Sequence, residues 1–139
     1  MRHPSGKVSF GGLLLLALLV GGVYLGVIFT PVYIDNMDVK EAVAAAHNRA
    51  AQRATDSMLR NTIIERTSQM GSHWEVDQFD NDVLKPGLGL TDEQILIERS
   101  DVTGSVRIEV DYERQVRLVP TDRVHTVRFH VVKDGIPGQ

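Results

Sequence analysis

The sequence contains no cysteine, which excludes disulfide scaffolds, thiol chemistry and cysteine-ligated zinc together. Aromatic residues are scarce and Trp74 is the only tryptophan, so no stacking platform for bases or sugars is expected. Acidic residues are missing before Asp35, and from Val8 to Ile34 no side chain carries a formal charge. Beyond that stretch the balance is 13 basic against 18 acidic residues, a net charge of −5. A nucleic-acid-binding module needs a clustered basic surface to meet phosphates, and this acidic balance argues against a nucleic-acid partner.

The charge-free run is the dominant positive feature. Its 27 residues, at about 1.5 Å of helical rise each, exceed the ~30 Å hydrocarbon core of a bilayer. A cleaved signal peptide has a shorter apolar region, about 7 to 15 residues, and a small-x-small cleavage site. Here apolar character continues through Val23, Tyr24, Leu25, Val27, Ile28 and Phe29, and Val20/Gly22 is the only passable cleavage pair. The reading is a retained transmembrane helix over 8–34, preceded by a cytoplasmic segment 1–7 and followed by an extracytoplasmic domain over 35–139. Arg2 and Lys7 before the run, and Asp35 and Asp38 after it, set this orientation by the positive-inside rule. Pro31 lacks an amide hydrogen and disfavours helix at Thr30, which predicts a break or bend there. Pro31 and Tyr33 then mark the outer membrane interface.

Glycines punctuate the run. Gly22 and Gly26 form a GxxxG, and Ala17 and Gly21 repeat the small-xxx-small spacing on a neighbouring stripe. Such spacing lets helix backbones approach closely and gain van der Waals contact inside lipid. The alternative is incidental glycine, which is common in membrane helices. The expected partners are the membrane itself and, through this helix, other integral membrane proteins or further copies of the chain.

The remaining residues predict an α+β domain, with one or two helices packed on a small antiparallel β-meander. Asp38 and Glu41 have the spacing of a capping box, and Val39, Ala42, Val43, Ala46 and Ala50 recur at helical intervals behind them. Thr55-Asp56-Ser57 offers a second cap, for a helix running to about Gln69 and stopped by Gly71. Trp74, Val76 and Phe79 suggest a short strand or irregular segment, then a loop through Lys85-Pro86-Gly87 and Gly89. Val106, Ile108, Val110 and Tyr112 alternate with Arg107, Glu109, Asp111 and Glu113, the pattern of a half-buried strand. Ile95 to Arg99 precedes it across a turn at Asp101 to Gly104. Val127, Phe129 and Val131 continue the alternation after a turn at Pro120-Thr121-Asp122.

Several of these stretches, in this order, resemble a family of short bacterial single-pass membrane proteins classed as a domain of unknown function. They are the apolar segment ending in Pro31-Val32-Tyr33, then Val39-Lys40, Ile97-Glu98-Arg99, Tyr112-Glu113-Arg114 with Val116 and Leu118, and Val127-Arg128-Phe129. The resemblance implies a bacterial inner (cytoplasmic) membrane anchor with a periplasmic α+β domain, and offers no catalytic residues to carry over. The segment from Trp74 to Asp92 is longer than that pattern. A looser similarity is to pilin-like proteins, whose processed helix carries a glutamate at its fifth position; here Gly6 is followed by Lys7-Val8-Ser9-Phe10-Gly11, with no glutamate before Glu41.

No catalytic, cofactor or metal site is predicted. His125 and His130 lie five apart on a strand and so on opposite faces. His47 and His73 read as surface histidines rather than ligands. Asp77, Asp80 and Asp82 are either a solvated acidic loop or a cation site, without the glycine and distal glutamate of an EF-hand. Gly87-Leu88-Gly89 lacks the further glycine and lysine of a phosphate cradle and reads as a turn. Glu109, Asp111 and Glu113 with Arg107 read as a solvated sheet face. The expected function is a non-enzymatic, membrane-anchored accessory or scaffolding subunit of a larger complex. The alternatives are a pilin-like filament or secretion component, and a periplasmic ligand-binding or sensor module.

Overall fold

The computed structural model describes residues 9–138. The expected cytoplasmic segment, with Arg2 and Lys7, lies outside the described residues. A single helix, α1, runs from Phe10 to Ala50, 41 residues and roughly 60 Å long. A second helix, α2, spans Asp56–Thr67, opened by Thr55, whose hydroxyl accepts from the Met58 amide at 3.4 Å. The β1 (Ser72–Val76) and β2 (Asp82–Pro86) strands form an antiparallel hairpin. The three remaining strands, β3 (Ile95–Arg99), β4 (Val106–Leu118) and β5 (Arg123–Gly135), form an antiparallel sheet in the order β3-β4-β5. The architecture is α+β, as the sequence predicts.

The C-terminal part of α1 packs with α2 against the three-stranded sheet. Val39, Val43, Ala46 and Ala50 of α1 meet Leu59 and Ile63 of α2, and Ile95, Val106, Ile108, Val110, Tyr112 and Val131 of the sheet. Alanine on the helix face keeps the backbones close, while branched residues on the strands fill the space between them. In β4 the even-numbered positions from Val106 to Val116 are all buried. After β2, Gly87 and Leu88 turn the chain back under α2: the Gly87 amide reaches the Gly71 carbonyl at 3.1 Å, and that of Leu88 reaches Thr67 at 3.0 Å. Gly87 has φ +85, and a Cβ there would lie 2.6 Å from the Ser68 carbonyl oxygen, so the approach requires glycine.

Three expectations are corrected. The helix does not end or restart between Pro31 and Asp38: Pro31 lies inside α1, and Asp38 is a mid-helix residue rather than a cap. Val32, Asp35 and Val39, on the C-terminal side of the proline, are buried on the domain, and that packing carries the helix on through it. Asp82–Pro86 is a strand rather than loop; every residue in it is exposed, so no alternation announces it. His47 is buried, not on the surface, and His73 is half-buried.

Candidate functional site

The specific polar contacts of the molecule concentrate where α1 meets the sheet. Asp35 sits on the buried side of α1, one helical step before Val39, and Arg114 continues the inward face of β4. The Arg114 Nη2 donates to Asp35 Oδ2 at 2.5 Å, with both side chains about nine-tenths buried. Its Nη1 donates to the Ser72 carbonyl, so the same guanidinium also fastens the start of β1. Gly71 closes the other side, at φ +62; a Cβ there would stand 2.8 Å from both Asp35 oxygens. Taking such a pair out of water costs several kcal/mol per ion, and its attraction repays this only with good geometry. Its value here is therefore geometric: it fixes helix, hairpin and sheet to one another.

The junction extends along the helix in both directions. Toward the core, the Tyr112 hydroxyl donates to Asn36 Oδ1 at 3.2 Å, and its ring stacks on Phe129 with centroids 5.3 Å apart. Phe129 in turn meets Tyr33 edge-on at 5.9 Å. Burial pushes the Tyr112 phenol well above its ordinary pKa; the Arg114 charge opposes this, and the Asp35 and Asp38 carboxylates add to it. Toward the N-terminus, Phe29 packs edge-on against His125 at 6.1 Å, and the Tyr24 hydroxyl donates to the Val119 carbonyl. The β4–β5 hairpin thus runs alongside α1 from Asn36 down to Tyr24. Eleven helical residues (24 to 35) and five extended residues (114 to 119) each cover about 16 Å, so the contacts keep step.

His47 has a distinct role beside the junction. Its Nε2 lies 3.0 Å from the Val106 carbonyl and 3.1 Å from that of Gly135. Carbonyls only accept, so Nε2 carries the hydrogen and ties α1 to the first and last residues of the long hairpin. Its Nδ1 is buried without a protein partner, as is Arg114 Nε. His73 Nδ1 lies 2.8 Å from the Gly87 carbonyl and holds the β1–β2 hairpin to its exit turn.

The glycine stripes lie apart from the junction. A Cβ built at Gly21, Gly22 or Gly26 meets nothing within 4 Å, and Ala17 is exposed. At about 100° per residue, Gly22 and Gly26 stand about 160° away from Tyr24 on either side, on the face opposite the hairpin. Ala17 and Gly21 fall on the Tyr24 side, beyond the hairpin tip. Pro31 and Tyr33 are exposed at the level of the sheet, with Tyr33 on Phe129.

Two of the three acidic candidates, Asp77 and Asp82, are engaged individually. Asp77 Oδ1 accepts from the amides of Phe79 at 2.8 Å and Asn81 at 2.9 Å, and Asp82 pairs with Arg117 at 3.1 Å. The Asn81 and Phe79 amides hold the Asp77 carboxyl below its usual range. His130 lies 2.7 Å from Asp111 and His125 faces Phe29, on opposite sides of β5. Among the described residues no three His, Asp or Glu side chains gather as a metal site would require.

Sequence reasoning missed Asp35, Arg114 and His47 as junction residues, although the periodicity contains them. Asp35 and His47 each stand four residues from a buried valine on α1, and Arg114 is the next even position after Tyr112. No family model, curated protein or solved structure matches the chain.

Proposed function

We propose that the chain is a membrane-anchored, non-enzymatic accessory subunit that positions or stabilises a larger membrane-protein complex. The observation that carries this reading is the continuity of α1. One helix supplies both the apolar segment, mean hydropathy 2.5 over its most apolar window and none of it buried, and the central core helix of the domain. A domain clasped to its own anchor through Asp35 and Arg114 is held at fixed height and angle, which suits a positioning role better than a flexible tether does. The Gly22/Gly26 face points away from the chain's own hairpin and is free to meet another helix. The flanking charges support a cytoplasmic N-terminus and an outward domain, and the resemblance supports a bacterial inner membrane with that domain in the periplasm.

Purification of the full chain in mild detergent under native conditions tests this. Co-purification of a stoichiometric membrane partner, weakened by Gly22→Leu with Gly26→Leu, is the expected result. A protein that always runs alone, unchanged by both substitutions, overturns it.

One observation favours a second reading, a filament or secretion subunit: a long N-terminal helix half exposed and half packed on an antiparallel meander. Mass spectrometry of the mature N-terminus separates the two, since that reading requires cleavage near Gly6.

A further inference from the structure

The contact between Tyr24 and Val119 puts a hairpin tip beside the apolar part of α1, where an aqueous domain has no reason to be. If α1 crosses the membrane, about 20 helical residues fill the ~30 Å hydrocarbon core. Counted from the start of α1 at Phe10, they end at Phe29. Tyr24 is then about 8 Å inside the outer edge, and the β4–β5 tip lies at its depth.

The chemistry of the tip fits that position. Val119 and Val124, which flank the turn, are 62% and 51% exposed. Two carbonyls at the tip receive hydroxyls from side chains: Val119 from Tyr24, and Leu118 from Thr121 at 3.2 Å. Backbone groups near lipid need such internal partners, because water is not there to supply them. Asp122 and Arg123, both exposed, limit the insertion, because their charged ends must reach back to the headgroup layer, where Arg123 can meet a lipid phosphate.

A second hairpin points the same way. Ser72 lies against Arg114, and Trp74 lies 4.4 Å beneath the Arg117 guanidinium, so β1 runs parallel to β4. The β1–β2 turn is therefore directed toward the β4–β5 tip. Beyond its last rung, Val76 opposite Asp82, it carries Phe79, 73% exposed, beside Val76 at 57%. Tyr24, Phe29, Trp74 and Phe79 so lie toward the same end of the domain, the side on which aromatic residues at a membrane interface are expected.

We infer that both hairpin tips, Val119–Val124 and Asp77–Asn81, seat in the outer phospholipid interface of the membrane that α1 crosses. The boundary then falls near Phe29 rather than at Pro31 and Tyr33, and the domain rests on the bilayer on three supports. This rests on the transmembrane reading of α1.

The absence of cysteine makes the test direct. Single cysteines replace Leu16, Phe79, Thr103 or Val119 in the full chain, which is labelled with an environment-sensitive fluorophore. Each product is reconstituted in phosphatidylethanolamine/phosphatidylglycerol vesicles. Quenching is read with aqueous iodide and with lipids bearing nitroxides near the headgroup or near the chain end. Labels at Val119→Cys and Phe79→Cys are expected to be quenched best by shallow nitroxides, and several-fold less by iodide than the label at Thr103→Cys in the distal β3–β4 turn. Iodide access at Val119 and Phe79 equal to that at Thr103, with Leu16 quenched by deep nitroxides, overturns the inference and leaves the anchor intact. No lipid quenching at Leu16 overturns the anchor. Shielding of Val119 and Phe79 from both iodide and lipid assigns the tips to a protein partner and likewise overturns the inference.

Discussion

The two halves of α1 share one backbone and differ in everything that surrounds it. From Phe10 to Val27 the side chains are exposed around the whole circumference, apart from half-exposed Gly21, although nearly all are apolar. From Val32 to Ala50 only one stripe is buried, through Asp35, Val39, Ala42, Val43, Ala46, His47 and Ala50, and the exposed side passes from Tyr33, Ile34 and Met37 near the joint to Lys40, Glu41, Asn48 and Arg49. The first half has the composition of a candidate membrane span, apolar in all directions, and the second has a core on one side only. Pro31 sits close to the joint and does not break it. A proline inside a helix costs about 3 kcal/mol, but burying Val32, Val39 and Val43 contributes about 1.5–3 kcal/mol each, so the packed half dictates the path.

The clasp is what joins the halves to a common domain, and removing it is the most damaging way to test the comparison. Arg114→Ala leaves the Asp35 carboxylate buried without its partner and is expected to destabilise the domain by about 3–5 kcal/mol, read by chemical denaturation of the full chain in detergent. Replacing both members with apolar residues of similar size, Asp35→Leu with Arg114→Met, is expected to recover most of that stability. If the single substitution is silent, the pair is ornamental and the helix is held by its apolar stripe alone.

Gly71→Ala probes the same clasp from the strand side. The added Cβ must occupy space 2.8 Å from the Asp35 oxygens at φ +62, so the turn has to shift. The expected loss is about 1–3 kcal/mol, smaller than for Arg114→Ala because the ion pair itself survives. Combined with Arg114→Ala, the two losses should be less than additive, since they act on shared atoms.

How much of this was legible follows from the same contrast of surroundings. Strong periodicity survives where one face is buried: the alternation from Val106 to Tyr112 and the stripe from Val39 to Ala50 read correctly as strand and helix. Asp82–Pro86 borders no core, is exposed throughout, and so carries no pattern. The apparent start at Asp38 arose because Asp and Glu three apart also suit the side of a running helix. Arg114 and His47 were hidden by their polarity: both obey the buried spacing, but recognising them needs the partner groups, Asp35 and two strand carbonyls, that only the fold brings near.

The smallest expected effect concerns the β1–β2 hairpin, which borders the joint without entering the core. The hydrogen bond and charge of Lys85 hold Glu75 below its ordinary value of 4.5, and backbone amides of Asn81 and Phe79 do the same for Asp77 against 3.8. Carboxyls depressed in the folded state add stability above their unfolded pKa, and that stability is lost as pH falls through the lower, folded values. Acidification below about pH 4 should therefore loosen this hairpin while the buried core still holds. Trp74 is the only tryptophan and lies in β1 against Arg117 of β4, so its fluorescence reports this hairpin and its seat on the sheet. The expected result is an emission change in acid that precedes loss of the helical circular dichroism. Asp77→Asn, whose amide oxygen can still accept from both amides but does not titrate, should shift that change toward lower pH. Coincident loss of both signals would mean that the hairpin and the clasped helix unfold together, and that Arg114, through Ser72, couples them more tightly than the exposure of β2 implies.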